Sequence, residues 1–402
     1  MKILIFFFYI KVLLSIEGYK MYAFFDFLAW AASLTMLING ILLTTSSSYL
    51  FNPASATLWL TLGSITFIFY PLLLEFLITL HSLFQFPTRP ITVNRIPIAY
   101  HPNYNISAGG IEKCHPFDSQ KYGNIYKSLC FQGQHLVPIK CPRVLLRAVH
   151  PFCFLWSLCY SFQIFRAVEI PIFILPAFLL RWRVLDPMLY ATFGSIMAGC
   201  AAVENGKWGI NLSGGYHHAS SSSCGGFCIY ADITLTIYWL RRWFPEKVKK
   251  VMIIDLDAHQ GNGHERDFLT DPNTYIIDFF NDGIYPGDFK ARSAISLQEH
   301  FDMFHNDQAY NSKLKEALNS SFSRFTPDFI LYNAGTDCME GDPLGRMSLS
   351  MSGIIKRDEI VFRHALKHSI PILMVLSGGY QKQNAPTIAS SISNLKEKFN
   401  LY

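Results

Sequence analysis

Val251–Met252–Ile253–Ile254–Asp255–Leu256–Asp257–Ala258–His259–Gln260–Gly261–Asn262–Gly263 is an apolar run that stops abruptly in acidic residues, an imidazole and glycines. A strand buried on both faces reads as such a continuous apolar stretch, with turn residues at its end. The pattern recurs. Gly209 to Leu212 is followed by Ser213–Gly214–Gly215–Tyr216–His217–His218. Phe329 to Leu331 leads to Asn333–Ala334–Gly335–Thr336–Asp337, and Ile372 to Leu376 to Ser377–Gly378–Gly379–Tyr380. Tyr275 to Ile277 is a fifth short run. Helical stretches, including Ala231 to Trp243, Asn311 to Phe322 and Met351 to Lys367, separate them. This alternation predicts an α/β fold around an open, mostly parallel sheet.

In open α/β sheets, ligands bind at the carboxyl ends of strands. Four strands therefore deliver His, Asp, Gly and Tyr to one edge. Asp257 and His259 alternate in an extended segment, so their side chains point the same way. Asp337, from another strand, can supply a third ligand. Three protein ligands leave room for water, as catalytic rather than structural zinc requires. The set lacks thiolates, which suits a hydrolytic Lewis acid. Alone, an Asp-x-His tripeptide is more often a loop or a cap; the neighbouring His–His turn and Asp337 set this one apart. His217 and His218 are candidates for general base and acid, and Asp255 for the carboxylate that holds an imidazole in one tautomer. Gly214, Gly215, Gly378 and Gly379 let the backbone approach a substrate closely. Tyr380 is placed to donate to a developing oxyanion, the alternative being a buried aromatic with a satisfied hydroxyl.

The 402 residues suffice for one large α/β domain plus an appended segment. Half the residues are hydrophobic, and 16% are charged, against roughly 25% charged in ordinary soluble domains. Mean hydropathy is +0.22. Part of the chain is therefore expected in lipid or in an unusually apolar core. The net charge of +5 is mild and no basic arm occurs, which argues against direct nucleic-acid binding. Nine cysteines, irregularly spaced and without a CxxC pair, favour reduced thiols facing the cytosol.

Residues 1–90 differ from the rest. No Asp, Glu, Lys or Arg occurs from Phe27 to Leu74. Phe27 to Thr44 and Ala56 to Leu74 each approach the ~20 residues needed to cross a bilayer. They predict a membrane hairpin, and with it membrane association through residues 1–85. The shorter run Ile3 to Ile16 reads as a signal-like segment or a third membrane contact. A misassigned start or translated non-coding sequence is the competing explanation of this apolar region. A linker, Phe86–Pro87–Thr88–Arg89–Pro90, leads into a single domain over residues 91–402.

The stretch Asp255 to Gly263, the His–His turn, Gly225–Gly226–Phe227–Cys228, Asp337 and Gly379–Tyr380 together resemble the zinc-dependent histone deacetylases. Ile284–Tyr285–Pro286–Gly287–Asp288, Asn333 to Asp337, Glu340–Gly341–Asp342 and Ser377 to Lys382 resemble the class IV branch, the histone deacetylase 11 type. Tyr100 to Asn105 and His115–Pro116–Phe117–Asp118 fit as well. The resemblance implies a three-layer arginase/deacetylase-like fold with about eight mostly parallel strands. It implies one Zn2+ on Asp257, His259 and Asp337, with His217 and His218 as the catalytic pair and His218 as proton shuttle. Tyr380 would polarise the scissile carbonyl, with Gly215, Gly378 and Gly379 near the substrate. Asp255 would support His217 and, with backbone groups near Asp278, help hold a structural K+. Phe227 and Tyr285 would line an acyl-lysine tunnel. Asn262 stands where many family members carry an aspartate; an amide cannot stabilise imidazolium charge as a carboxylate does, so His218 is expected to be less basic. The implied substrates are acylated lysines of histones or other proteins, with long-chain acyl groups as well as acetyl. The implied setting is chromatin regulation in the nucleus or cytoplasm, or at a membrane if the N-terminal segment anchors the chain.

Residues 129–165 match poorly. Ala148 to Phe165 has no charged residue, which reads either as a third membrane segment or as a gene-model or splice divergence that alters the cleft rim. Two other functions compete: a membrane-tethered binding protein with an impaired deacetylase-like domain, and a two-manganese ureohydrolase. The second wants further Asp or His ligands that Gln260, Gly261 and Asn262 do not supply.

Overall fold

The computed structural model describes residues 88–107, 118–130, 134–169, 177–381 and 383–401, with scattered positions before 88. Apart from those positions, the expected membrane hairpin and the run Ile3 to Ile16 lie outside the described residues. So do His115 to Phe117 of one quoted motif.

Eight strands form one sheet: β1 (Ile96–Ala99), β2 (His135–Leu136), β3 (Trp208–Asn211), β4 (Val251–Asp255), β5 (Thr274–Phe280), β6 (Leu297–His300), β7 (Phe329–Asn333) and β8 (Ile372–Val375). Their order is β2-β1-β3-β8-β7-β4-β5-β6, and every pair is parallel. The expected strands are β3, β4, β5, β7 and β8, five of the six interior strands of this sheet; β1 was not anticipated. The helices are α1 (Lys121–Ser128), α2 (Arg143–Leu146), α3 (Phe152–Ser157), α4 (Ser161–Val168), α5 (Asp186–Asn205), α6 (Asp232–Trp243), α7 (Asn262–Phe268), α8 (Asp307–Arg324), α9 (Met351–Lys367) and α10 (Asn384–Phe399).

Successive strand residues face opposite ways, so each interior strand feeds two cores. Val251 and Ile253 pack with α2 to α6, whereas Met252 and Ile254 pack with α1, α8, α9 and α10. This is the three-layer arrangement that the resemblance implies. The register decides where the chemistry sits. Asn211 pairs with Val375, Val375 with Asn333, and Asn333 with Asp255. The ends of β3, β8, β7 and β4 thus lie level, and the four segments that leave them start from one row.

Residues 177–205 run as continuous helix, with a π-helical turn at Arg181–Leu185, and end on Gly206 in the left-handed region. Arg181–Asn205 is long and apolar enough to cross a bilayer, yet 83% of its apolar window is buried inside the protein. It is a core helix, buried nearly all round, with most of its apolar residues in the α2–α6 core.

The membrane reading of Ala148 to Phe165 is corrected by the structure. Pro151 precedes α3 and Tyr160 precedes α4, so the stretch divides into helices of 6 and 8 residues, far below a bilayer span. Phe154, Leu155, Leu158 and Ile164 enter the α2–α6 core. His150 ties the stretch to the domain. Its Nδ1 donates to Ser221 O at 2.8 Å, and its Nε2 accepts from Ala231 N at 3.2 Å.

Candidate active site

The segment after β3 turns sharply because Gly214 and Gly215 both adopt left-handed φ, +74° and +78°. A Cβ on Gly215 would collide with the Asn333 side chain, so glycine is required there twice over. Asp232, the first residue of α6, holds the turn, accepting from Gly215 N at 2.9 Å and Tyr216 N at 2.8 Å. The turn brings the His217 and His218 rings to 4.1 Å centroid separation.

From β4 and β7 come Asp257, His259 and Asp337, all buried, with one potential ligand atom from each lying within 4.8 Å of the others. His259 Nδ1 stands 3.1 Å from Asp257 Oδ1 and 2.8 Å from Asp337 Oδ2. The remaining carboxylate oxygens are occupied: Gly378 N donates to Asp257 Oδ2 at 2.9 Å, and Ala258 N to Asp337 Oδ1 at 2.8 Å. One lone pair from each group is therefore left facing a common point. Burial and the adjacent Asp257 carboxylate push the Asp337 carboxyl up. Burial opposes charge on His259, but its hydrogen bonds with Asp257 and Asp337 prevail and raise it to about 10. Two buried carboxylates against one imidazole lack positive charge, and a divalent cation supplies it. The donor set fits zinc. A Cβ on Gly378 would run into both carboxylates, which is why the chain after β8 can close over them.

The two histidines differ in their supports. His217 Nδ1 donates to Asp255 Oδ2 at 2.9 Å, and His218 Nδ1 to Asn262 Oδ1 at 2.9 Å. The Asn262 amide is itself oriented. Its Nδ2 donates to Asp288 Oδ2 at 3.3 Å, and Arg266 Nε holds the same oxygen at 2.7 Å. Both imidazoles thus carry hydrogen on Nδ1 and turn Nε2 inward. Burial lowers His217, but Asp255 and Asp257 outweigh it and lift the ring to about 9. His218 falls well below the ordinary range through burial and the neighbouring His217 and His259. The carboxylate-backed ring is the charged one, and the amide-backed ring is the free base.

A narrow pocket reaches this cluster, lined by Gly215, His217, His218, Phe227, Gly378 and Tyr380 among others. Tyr380 N donates to Asp342 Oδ2 at 2.8 Å. Burial and then Asp337 and Asp257 push its hydroxyl well up, so it stays a donor. Gly379, at φ +125°, lets the chain reach it. Tyr285 stands at the rim, 46% exposed, its ring edge-on to His218 at 4.9 Å.

His264, Glu265 and Lys121 escaped the sequence reading. Asp255 Oδ2 also meets His264 Nε2 at 2.8 Å, and Asp255, His264 and Asp278 form a second buried group able to hold a cation. Burial and the neighbouring Asp255 and Glu265 carboxylates push the Asp278 carboxyl well up. Lys121, fully buried, donates from Nζ to Ser377 O at 3.0 Å and Gly378 O at 2.7 Å. The one sequence cue was proximity: His264 follows Asn262–Gly263 directly, and Asp342 lay in a quoted motif without a role.

Known proteins resemble this chain. A family model described as the histone deacetylase domain matches residues 180–395. Histone deacetylase 2 of Arabidopsis thaliana is 41% identical over 314 residues, covering 77% of this chain and 80% of that protein. An uncharacterized protein of Picosynechococcus is 28% identical over 298 residues, covering 71% of this chain and 92% of its own length. Among solved structures, the HDA15 HD domain superposes with a TM-score of 0.59 at 19% identity, over 74% of this chain and 90% of that one, a likeness of fold. The matched region holds the His–His turn, the Asp–x–His element, Asp337 and Tyr380, and on these grounds the chain belongs to the histone deacetylase domain family.

Proposed function

We propose that the chain is a zinc-dependent protein-lysine deacylase of the class IV type, its catalytic domain spanning residues 91–402. The observation that carries this reading is the convergence of Asp257, His259 and Asp337 on one point at the foot of a pocket lined by two histidines and a tyrosine. A zinc ion held by these three supplies Lewis acidity at the scissile carbonyl when bound. His218 Nε2, the free base of the pair, takes the proton of the attacking water and passes it to the departing lysine amine. His217, charged by Asp255, stabilises the developing negative charge, and the Tyr380 hydroxyl donates to the oxyanion. Gly215, Gly378, Gly379 and Phe227 shape the tunnel for the lysine stem, and Tyr285 covers its rim.

The class IV assignment is supported by Asp288 of the Ile284–Asp288 motif, which orients Asn262, and by Asp342, which anchors Tyr380. Ile106, Pro187 and Met188 on the pocket wall favour an apolar acyl group, so we assign long-chain acyl-lysine as substrate alongside acetyl-lysine, on histones or other proteins. The Asp255, Asp278 and Glu265 oxygens are where a structural potassium ion would be held. We place the enzyme in the nucleus and cytoplasm, with residues 1–85 as a membrane contact. Full-length protein assayed on acetyl- and myristoyl-lysine peptides, with and without a zinc chelator, tests the reading. Chelator-sensitive hydrolysis with myristoyl preferred is the expected result; chelator-insensitive hydrolysis, or none, contradicts the assignment, and faster acetyl removal contradicts the long-chain specificity.

A further inference from the structure

The ladder between β4 and β7 ends at Asp255 and Asn333, with one further bond from Leu256 N to Asn333 O at 3.0 Å. Beyond it the two segments carry Asp257 and Asp337. Their carbonyls there have no strand partner to turn to, and three of them converge on one side chain. Arg357 of α9 is fully buried. Its Nη1 donates to Leu256 O at 3.1 Å and Gly335 O at 2.5 Å, and its Nη2 to Ala334 O at 3.2 Å. Nε faces Asp358 Oδ1 at 2.9 Å, a carboxylate that also accepts from the Tyr332 hydroxyl and from Ser391 Oγ. Leu256 lies between Asp255 and Asp257, and Gly335 is two residues before Asp337.

Resting on the metal-site reading above, we propose that Arg357 is a positioning residue that sets the spacing of Asp257 and Asp337 and thereby the affinity for the metal. A planar fork of five fixed donors spans carbonyls on two segments in one geometry, which a single ammonium cannot do. Buried carbonyls left without a donor would draw apart or take in water. An Arg–Asp pair that merely fills the core would spend its donors on Asp358. Here Nη2 also meets Asp358 Oδ1 at 2.9 Å and Nη1 meets Cys338 Sγ at 3.1 Å, yet three of the contacts still go to the backbone of the two ligand-bearing segments.

The test compares full-length wild type, Arg357→Lys, Arg357→Gln and Tyr332→Phe. Zinc affinity is read by competition with a chromogenic chelator, and the thermal midpoint is read on metal-free protein. Loss of a group that orients metal ligands typically weakens metal binding about 10- to 100-fold. That loss is expected in both Arg357 variants. Tyr332→Phe, which gives up only the hydroxyl on Asp358, is expected to lower the midpoint and leave zinc affinity unchanged. Wild-type affinity in Arg357→Lys and Arg357→Gln, or an equal loss in Tyr332→Phe, overturns the proposal. So does failure of both Arg357 variants to fold, which would assign the residue to core stability. Should one variant fold, it decides alone. Wild-type protein that binds no zinc overturns the deacylase reading and this inference with it.

Discussion

Protonation of His150 should unlock the region that matched poorly in sequence. The ring is held neutral: Nδ1–H donates to Ser221 O and Nε2 accepts from Ala231 N, so an added proton on Nε2 would face a backbone N–H. Burial, more than the Ser221 bond can offset, lowers the folded-state value from 6.5 to about 4. Because the unfolded chain binds this proton more readily, the stability that neutral His150 contributes is complete above pH 6.5 and declines as pH falls toward 4. By pH 4.5 the linkage costs about 2.5 kcal/mol, taking each pKa unit as ~1.4 kcal/mol. Urea unfolding of wild type and His150→Gln at pH 7.5 and 4.5, followed by tryptophan fluorescence, isolates the effect. The wild type should lose about 2.5 kcal/mol more than the variant on acidification. An equal loss in both would refute the packing of residues 143–168 against the 219–231 segment.

Tyr380→Phe should lower kcat by about 10²- to 10³-fold with little change in KM, as expected for a donor used in the transition state; a large KM rise with kcat preserved would make it a binding residue. Asn262→Asp places a carboxylate on His218 Nδ1 and should raise that ring's basicity, moving the acid limb of kcat/KM to higher pH; an unmoved limb would show that His218 is not the titrating base.

Most of the interior of the sheet could be read from sequence because β3, β4, β7 and β8 are covered on both sides and therefore apolar up to their last residues. The edges could not. β2 is two residues long, and β6, Leu297–His300, exposes Gln298 and His300 and leaves Leu297 and Glu299 only half-buried. The long helix was missed for the opposite reason: α5 is buried nearly all round, so no helical period marks it. In the site, residues adjacent to strand ends were found, since a parallel sheet sends them to one edge. Lys121, Asp232 and Arg357 were not. Each acts on backbone groups brought near it only by folding, and a buried Lys or Arg in a helix carries no local mark of its partner. The apolar patch Ala148 to Phe165 misled because composition alone does not separate a lipid-facing segment from one packed in an all-apolar core.

The central claim is one zinc ion gripped by Asp257, His259 and Asp337. Metal content of full-length protein, measured by elemental analysis after dialysis, addresses it directly. The account predicts one zinc per chain in the wild type and essentially none in Asp257→Asn/Asp337→Asn, with circular dichroism unchanged. A folded double variant that retains a full equivalent of zinc would contradict it.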